Sequence, residues 1–238
     1  MNLFVKICGI TSVRDARAAF DAGADALGFM FYPDSPRHID LQTAESIAHA
    51  LPAGVIKVGV FVNPDESTVL NAITACGLNV LQFHGEEQCD FCRQVGLMTI
   101  MAFRMHDAAS LDQLDAFPTD AWLLDSAVTG RRGGTGQQFN WDLAAQAVQR
   151  GRPIFLAGGL TPENVADAVS KVRPFAVDVS TGVESSPGQK DLRKVSAFVR
   201  NAKQAAAAIH DAADLSVSFR RPNTSSPAPH LPNHTAGS

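Results

Sequence analysis

The chain has 238 residues, long enough for one barrel or one large α/β domain. With 45% hydrophobic residues it can bury a full core, and a net charge of −4 with a pI near 5.9 gives no basic excess for nucleic acid or for an anionic membrane surface. No apolar run approaches the roughly 18 residues that a membrane-spanning helix requires.

Short apolar runs alternate with longer amphipathic ones along most of the chain. Strands are predicted at 3–8 (LFVKIC), 24–31 (ADALGFMF), 55–62 (VIKVGVFV), 79–84 (NVLQFH), 99–105 (TIMAFRM), 121–126 (AWLLDS), 153–158 (PIFLAG) and 175–180 (FAVDVS). Their β-branched and aromatic residues, with little clean polar alternation, suit strands buried on both faces. Helices are predicted between them. The first is N-capped by Ser12 and ends at Gly23 as a C′ glycine. Others run over 40–51, 64–77, 86–96, 107–117, 140–151, 161–172 and 190–209. Thr161 followed by Pro162 reads as an N-cap with proline at the first helical position, and Asn63, Pro64 and Asp65 read similarly.

Eight β-then-α units in a row imply a parallel sheet with crossover helices, and eight is the number that closes a (β/α)8 TIM barrel. A doubly wound open sheet is the alternative. The expected division is an α/β barrel catalytic domain over 1–209 and a disordered tail over 210–238, where proline, serine, asparagine and threonine replace the apolar period. The first strand-like run begins at Leu3, leaving no room for a signal peptide, so a cytoplasmic protein with free thiols is expected. Cys89 and Cys92 form a C-x-x-C spacing, but no second such pair accompanies it. It reads as two cysteines on a helix, and no metal site is expected.

In a barrel the chemistry lies at the C-terminal ends of the strands. Glycines there let backbone N–H groups approach an anion, and a following helix N-terminus favours negative charge. Gly158 and Gly159 follow strand 7; Ser180, Thr181 and Gly182 follow strand 8. The loops after these two strands are the usual phosphate site of a barrel. A third cluster, GGTG (133–136) with Gly134, follows strand 6. Each alone is as readily a tight turn; together, at this pair of strands, they point to a phosphorylated ligand.

Cys8 ends strand 1 and Asp125 ends strand 6. An aldose-to-ketose isomerisation needs a base to take a carbon-bound proton and an acid to protonate the departing ring oxygen. A thiolate serves as base if its pKa falls, and a carboxyl serves as acid if burial raises its pKa. A buried core thiol and a helix-capping aspartate are the bland alternatives. Alternation along the strands adds a constraint. If Cys8 points inward, so does Lys6; if Ser180 points inward, so does Asp178. Strands 1 and 8 are neighbours in a closed barrel, so Lys6 and Asp178 are expected to pair beneath the site. Gln82 and His84 share parity in the same way, with His84 either touching substrate or only oriented near it. Arg37, in the loop YPDSPRHI (32–39), is either a solvated cation or a bidentate carboxylate holder.

Taken together, VKICGIT (5–11), GADALGFMFYPDSPRHI (23–39), VGVFVN (58–63), LQFHGEE (81–87), LLDS (123–126), GGTG (133–136), AGGLTPENV (157–165) and VDVSTGVESSPGQKD (177–191) resemble the phosphoribosylanthranilate isomerase family of tryptophan biosynthesis. The resemblance spans about Phe4 to Phe198 and leaves the tail without a counterpart. It implies an Amadori rearrangement of N-(5-phosphoribosyl)anthranilate to 1-(o-carboxyphenylamino)-1-deoxyribulose 5-phosphate, with no cofactor. Carried over, Cys8 is the general base at sugar C2 and Asp125 the general acid at the ring oxygen. Arg37 binds the anthranilate carboxylate, His84 contacts the substrate, and Gly134, Gly158, Gly159, Ser180, Thr181 and Gly182 hold the phosphate. The expected partner is this small phosphosugar, without nucleic acid or membrane, for a chain acting as monomer or homodimer. Two related phosphosugar barrels fit less well. The histidine-pathway isomerase is expected to carry an aspartate where this chain has Cys8, and indole-glycerol-phosphate synthase requires lysines at strand ends. A non-catalytic phosphosugar sensor on the same fold is the alternative from another class.

Overall fold

The computed structural model describes residues 3–88, 91, 96–125 and 141–210. Cys89, Cys92, Ser126, the 133–136 glycine cluster with Gly134, and the expected tail from residue 211 lie outside them.

Eight parallel strands close into a barrel in sequential order: β1 (Phe4–Cys8), β2 (Ala26–Met30), β3 (Ile56–Phe61), β4 (Val80–Phe83), β5 (Met98–Arg104), β6 (Ala121–Asp125), β7 (Ile154–Leu156) and β8 (Ala176–Val179). Period-two alternation splits the buried residues into two cores. Cys8, Val58, Val60, Ile100, Leu123 and Phe155 fill the barrel interior with their neighbours. Val5, Ile7, Leu27, Phe61, Leu81 and Val177 face outward into a larger core shared with the helices. Apolar demand on both faces is why the strands read as nearly continuous hydrophobic runs.

The helices are α1 (Val13–Asp21), α2 (Leu41–His49), α3 (Glu66–Cys76), α4 (Trp141–Val148), α5 (Val165–Val172) and α6 (Leu192–His210). Ser12, Asp40 and Asp65 cap the first three by accepting the N–H of Asp15, Thr43 and Thr68. Gly23 has the positive φ expected of a C′ glycine.

Among the described residues two predicted helices change form; most of the helix predicted over 86–96 lies outside them. Over 107–117 there are two short 3-10 turns, Ala108–Leu111 and Leu114–Ala116, in place of an α-helix. Asp107 and Ser110 bond reciprocally to each other's backbone, and such short polar side chains compete with the helix ladder; Pro118 then blocks any continuation. The helix expected from Thr161 begins only at Val165. Its intended first turn is taken up by the Asn164 side chain, which bridges Thr161 N (2.8 Å) and Gly159 O (3.0 Å).

At the N-terminal end of the barrel, polar residues just before β2, β4 and β6 each take a strand N–H. Asp25 accepts from Val5 (2.9 Å), Asn79 from Lys57 (2.9 Å) and Asp120 from Thr99 (2.8 Å). After β8, where the sequence predicts a loop, the chain forms a hairpin: β9 (Glu184–Ser186) pairs antiparallel with β10 (Gln189–Lys190) across Pro187 and Gly188.

Candidate active site

Every expected site residue among those described lies at the C-terminal end of the barrel or in a loop leaving it. β1 carries Cys8, which is 6% exposed and faces the interior. Room for its side chain comes from the paired position on β2: a Cβ at Gly28 would lie 2.8 Å from the Cys8 sulfur. Beneath Cys8, the Lys6 ammonium donates to Asp178 Oδ1 at 2.8 Å, and Lys6 has no exposed side-chain surface. The interior pair expected from strand parity is therefore present. The Cys8 thiol itself departs from the simplest expectation. Burial pushes the thiol above its ordinary pKa; Lys6 opposes this and Asp178 reinforces it, leaving a net rise. The protein thus holds Cys8 mainly as thiol, with an ammonium next to it ready to stabilise the thiolate.

On β6, Asp125 stands 3.7 Å from Nε2 of His84, which follows β4. Burial drives the imidazole below its ordinary pKa and the Asp125 charge only partly offsets this, so at neutral pH the ring is neutral. Glu87, missed in the sequence, fixes the His84 loop. Its carboxylate accepts from Asn63 N (2.7 Å) and Gly85 N (2.9 Å), while Asn63 Oδ1 accepts from Glu86 N (2.8 Å). A Cβ at Gly85 would collide with the Asn63 side chain.

Arg37 does hold a carboxylate bidentately, but that of Glu184. Its Nε donates at 2.9 Å and its Nη2 at 2.7 Å to the two oxygens, and Nη2 also reaches Thr181 Oγ1 at 3.2 Å. Glu184 accepts a further bond from Lys190 Nζ at 2.9 Å, and neither Glu184 nor Lys190 is more than 4% exposed at its side chain. Burial alone would raise the Glu184 pKa, but the bonds from Arg37 and Lys190 outweigh it and hold the carboxylate below its ordinary value. The sequence marks Arg37 as a bidentate carboxylate holder but gives no sign that Glu184 is its partner.

The two glycine-rich loops meet beside this network. Gly158 and Gly159 both adopt positive φ (78° and 66°), a backbone path that side chains disfavour. Gly182 packs so closely on this loop that a Cβ there would collide with the Leu160 carbonyl. Thr181 and Gly182 open a short 3-10 turn, whose first N–H groups find no acceptor within the turn itself. The Ser180 hydroxyl is buried without a hydrogen-bond partner among the described residues. A buried hydroxyl beside backbone N–H groups suits an oxyanion. No cluster of three or more metal-ligating side chains occurs among the described residues, and no described helix is long and apolar enough to cross a membrane.

Comparison with known proteins agrees with this geometry. The family described as N-(5'phosphoribosyl)anthranilate (PRA) isomerase matches residues 5–201. The N-(5'-phosphoribosyl)anthranilate isomerase of Trichlorobacter lovleyi is 50% identical over 201 residues, covering 84% of this chain and 98% of its own. That of Geobacter sulfurreducens is 50% identical over 199 residues, with the same coverage. Among solved structures, a phosphoribosyl anthranilate isomerase from Thermotoga maritima superposes with a TM-score of 0.81 at 42% identity, covering 85% of this chain and 99% of that one. A phosphoribosyl anthranilate isomerase in complex with reduced 1-(o-carboxyphenylamino)-1-deoxyribulose 5-phosphate gives 0.77 at 40% identity, with the same coverage. Barrel, rim residues and relatives converge, and the chain belongs to the N-(5'-phosphoribosyl)anthranilate isomerase family.

Proposed function

We propose that this chain rearranges N-(5-phosphoribosyl)anthranilate to 1-(o-carboxyphenylamino)-1-deoxyribulose 5-phosphate in tryptophan biosynthesis, with Asp125 as general acid and Cys8 as general base. The observation that carries the reading is that both residues end strands at the same mouth of one barrel, on strands that are not neighbours. A substrate lying across that mouth has one group on either side.

The chemistry is a redox-neutral isomerisation. Asp125 gives its proton to the furanose oxygen as the bond from that oxygen to C1 breaks, and the anthranilate nitrogen supplies electrons to form a Schiff base. Cys8, as thiolate, then takes the proton from C2, which the cationic Schiff base acidifies. The resulting enolamine ketonises by moving its hydroxyl proton to C1. Asp125 regains a proton and Cys8 releases one, so enzyme and atoms balance. Lys6 stabilises the thiolate, Arg37 takes the anthranilate carboxylate, and His84 lies against Asp125 on the substrate side. Gly158, Gly159, Ser180, Thr181 and Gly182 hold the phosphate, joined by Gly134 from the 133–136 cluster. Each step is a proton transfer, so the mechanism calls for no cofactor.

The partner in this reading is the phosphosugar alone, without nucleic acid or membrane, which the net charge of −4 favours. The chain acts in the cytoplasm as a monomer or homodimer; one related structure is of monomers made from a dimeric Thermotoga maritima isomerase.

The test is to add the protein to freshly generated phosphoribosylanthranilate and follow the loss of anthranilate-type fluorescence, with Asp125→Asn as control. Rapid loss with the wild type and little with the variant supports the reading. A folded wild type that binds phosphate yet turns nothing over removes it.

A further inference from the structure

Arg37, assigned to the anthranilate carboxylate, already holds a carboxylate of the protein itself. Glu184 occupies the Nε–Nη2 side of the guanidinium, and Thr181 takes the remaining Nη2 bond. The Nη1 donors are left without a partner among the described residues. Glu184 is in turn fixed from several directions. Lys190 Nζ donates to its side chain at 2.9 Å, Gly188 N at 3.4 Å, and Lys194 Nζ donates to its backbone carbonyl at 3.1 Å. The hairpin that carries it is tied to the rest of the rim: the Thr11 hydroxyl donates to Gly188 O, and Lys190 N donates to Asp15 Oδ2 at 3.1 Å.

Charge explains why two cations are needed. A lone glutamate on Arg37 would cancel its attraction for an anion. Lys190 adds the second positive charge, so the trio keeps a net charge of +1 and still attracts a carboxylate. A planar fork is also most selective when its orientation is fixed before the ligand arrives.

We propose that Glu184, itself held by Lys190, is a positioning residue that clamps one edge of Arg37 so that the Nη1 edge meets the substrate's aromatic carboxylate. This rests on the isomerase reading above. Glu184 then contributes to selection of a carboxylated aromatic amine without touching it. When Glu184 is replaced, Lys190 becomes a buried cation without its counter-charge. Its pKa, already lowered by burial, falls further. The net charge near Arg37 then returns toward +1, and what is lost is orientation.

The experiment compares two substrates, N-(5-phosphoribosyl)anthranilate and N-(5-phosphoribosyl)aniline, the second lacking the carboxylate. The ratio of their kcat/KM values is measured for wild type, Glu184→Gln, Glu184→Ala and Arg37→Ala, with melting temperatures recorded. In both Glu184 variants the ratio is expected to fall roughly ten-fold or more, mainly through KM for the anthranilate substrate, while the aniline substrate changes little. Glu184→Gln keeps the side-chain volume and serves if the alanine variant does not fold. An equal fall for both substrates makes Glu184 a purely structural residue and overturns the proposal. An unchanged ratio in Arg37→Ala overturns it too, along with the carboxylate role of Arg37, while the isomerase reading stands. A wild type inactive on the anthranilate substrate defeats that reading itself.

Discussion

Lys6 and Asp178 form an ion pair at 2.8 Å inside the barrel, with the lysine on β1 two residues before Cys8 and the aspartate on β8 one residue before its end. Two charges withdrawn from water are tolerable only as a pair, and removing one partner strands the other. Asp178→Leu and Lys6→Met as single changes should each lower unfolding free energy by about 3–5 kcal/mol. The double variant should recover much of that loss. Urea denaturation of the three variants checks this; single variants as stable as wild type would mean that water already reaches the pair.

The same pair sets the pH behaviour. Burial raises the Cys8 pKa, and the Lys6 influence that lowers it ranks above the Asp178 influence that raises it. The thiolate fraction, read as the rate at which iodoacetamide alkylates Cys8, should therefore climb as pH rises from neutral into the alkaline range, with a slope near one on a logarithmic plot. In the double variant Lys6→Met with Asp178→Leu, the lowering influence is lost and the limb moves to higher pH. The reactivity deficit against wild type should be large at pH 7 and shrink toward alkaline pH. A limb that stays in place would show that the Lys6–Asp178 pair does not set the Cys8 titration.

Parity and closure made this pair legible in the sequence: residues two apart on a strand share a face, and in a closed barrel the first and eighth strands touch. The strands themselves were legible because they are apolar on both faces. The Arg37–Glu184 contact was not, because 147 positions separate its partners and the short hairpin carrying Glu184 offers almost no periodicity. Glu87 and Asn164 escaped for a related reason. Both are polar residues whose bonds hold a loop in shape, and nothing in their local composition separates them from solvated loop residues. The 107–117 segment failed differently: its apolar spacing suits a helix, while Asp107 and Ser110 close a tighter turn locally.

Close packing of the two glycine-rich loops yields another expectation. Because a methyl group at Gly182 would meet the Leu160 backbone, Gly182→Ala must push the loops after β7 and β8 apart. Affinity for inorganic phosphate or for a phosphosugar product analogue should drop roughly ten-fold or more, since several backbone donors shift together. The barrel core should remain intact. Calorimetric titration beside a thermal melt separates the two effects, and unchanged phosphate affinity would place the phosphate elsewhere.

Asp120 lies at the opposite end of the barrel from Cys8 and Asp125, accepting the Thr99 N–H at 2.8 Å and its hydroxyl at 3.2 Å. In this architecture the N-terminal ends of the strands serve stability while the C-terminal ends serve chemistry. Asp120→Ala leaves a strand N–H to solvent or unsatisfied and should lower unfolding free energy by about 1–2 kcal/mol. It should leave kcat and KM within about two-fold of wild type, because no site residue leans on β5 through this bond. Matching the urea midpoint to the kinetic constants of one preparation tests both halves. A large fall in kcat with stability unchanged would mean that the two ends of the barrel are mechanically coupled, with no division of labour between them.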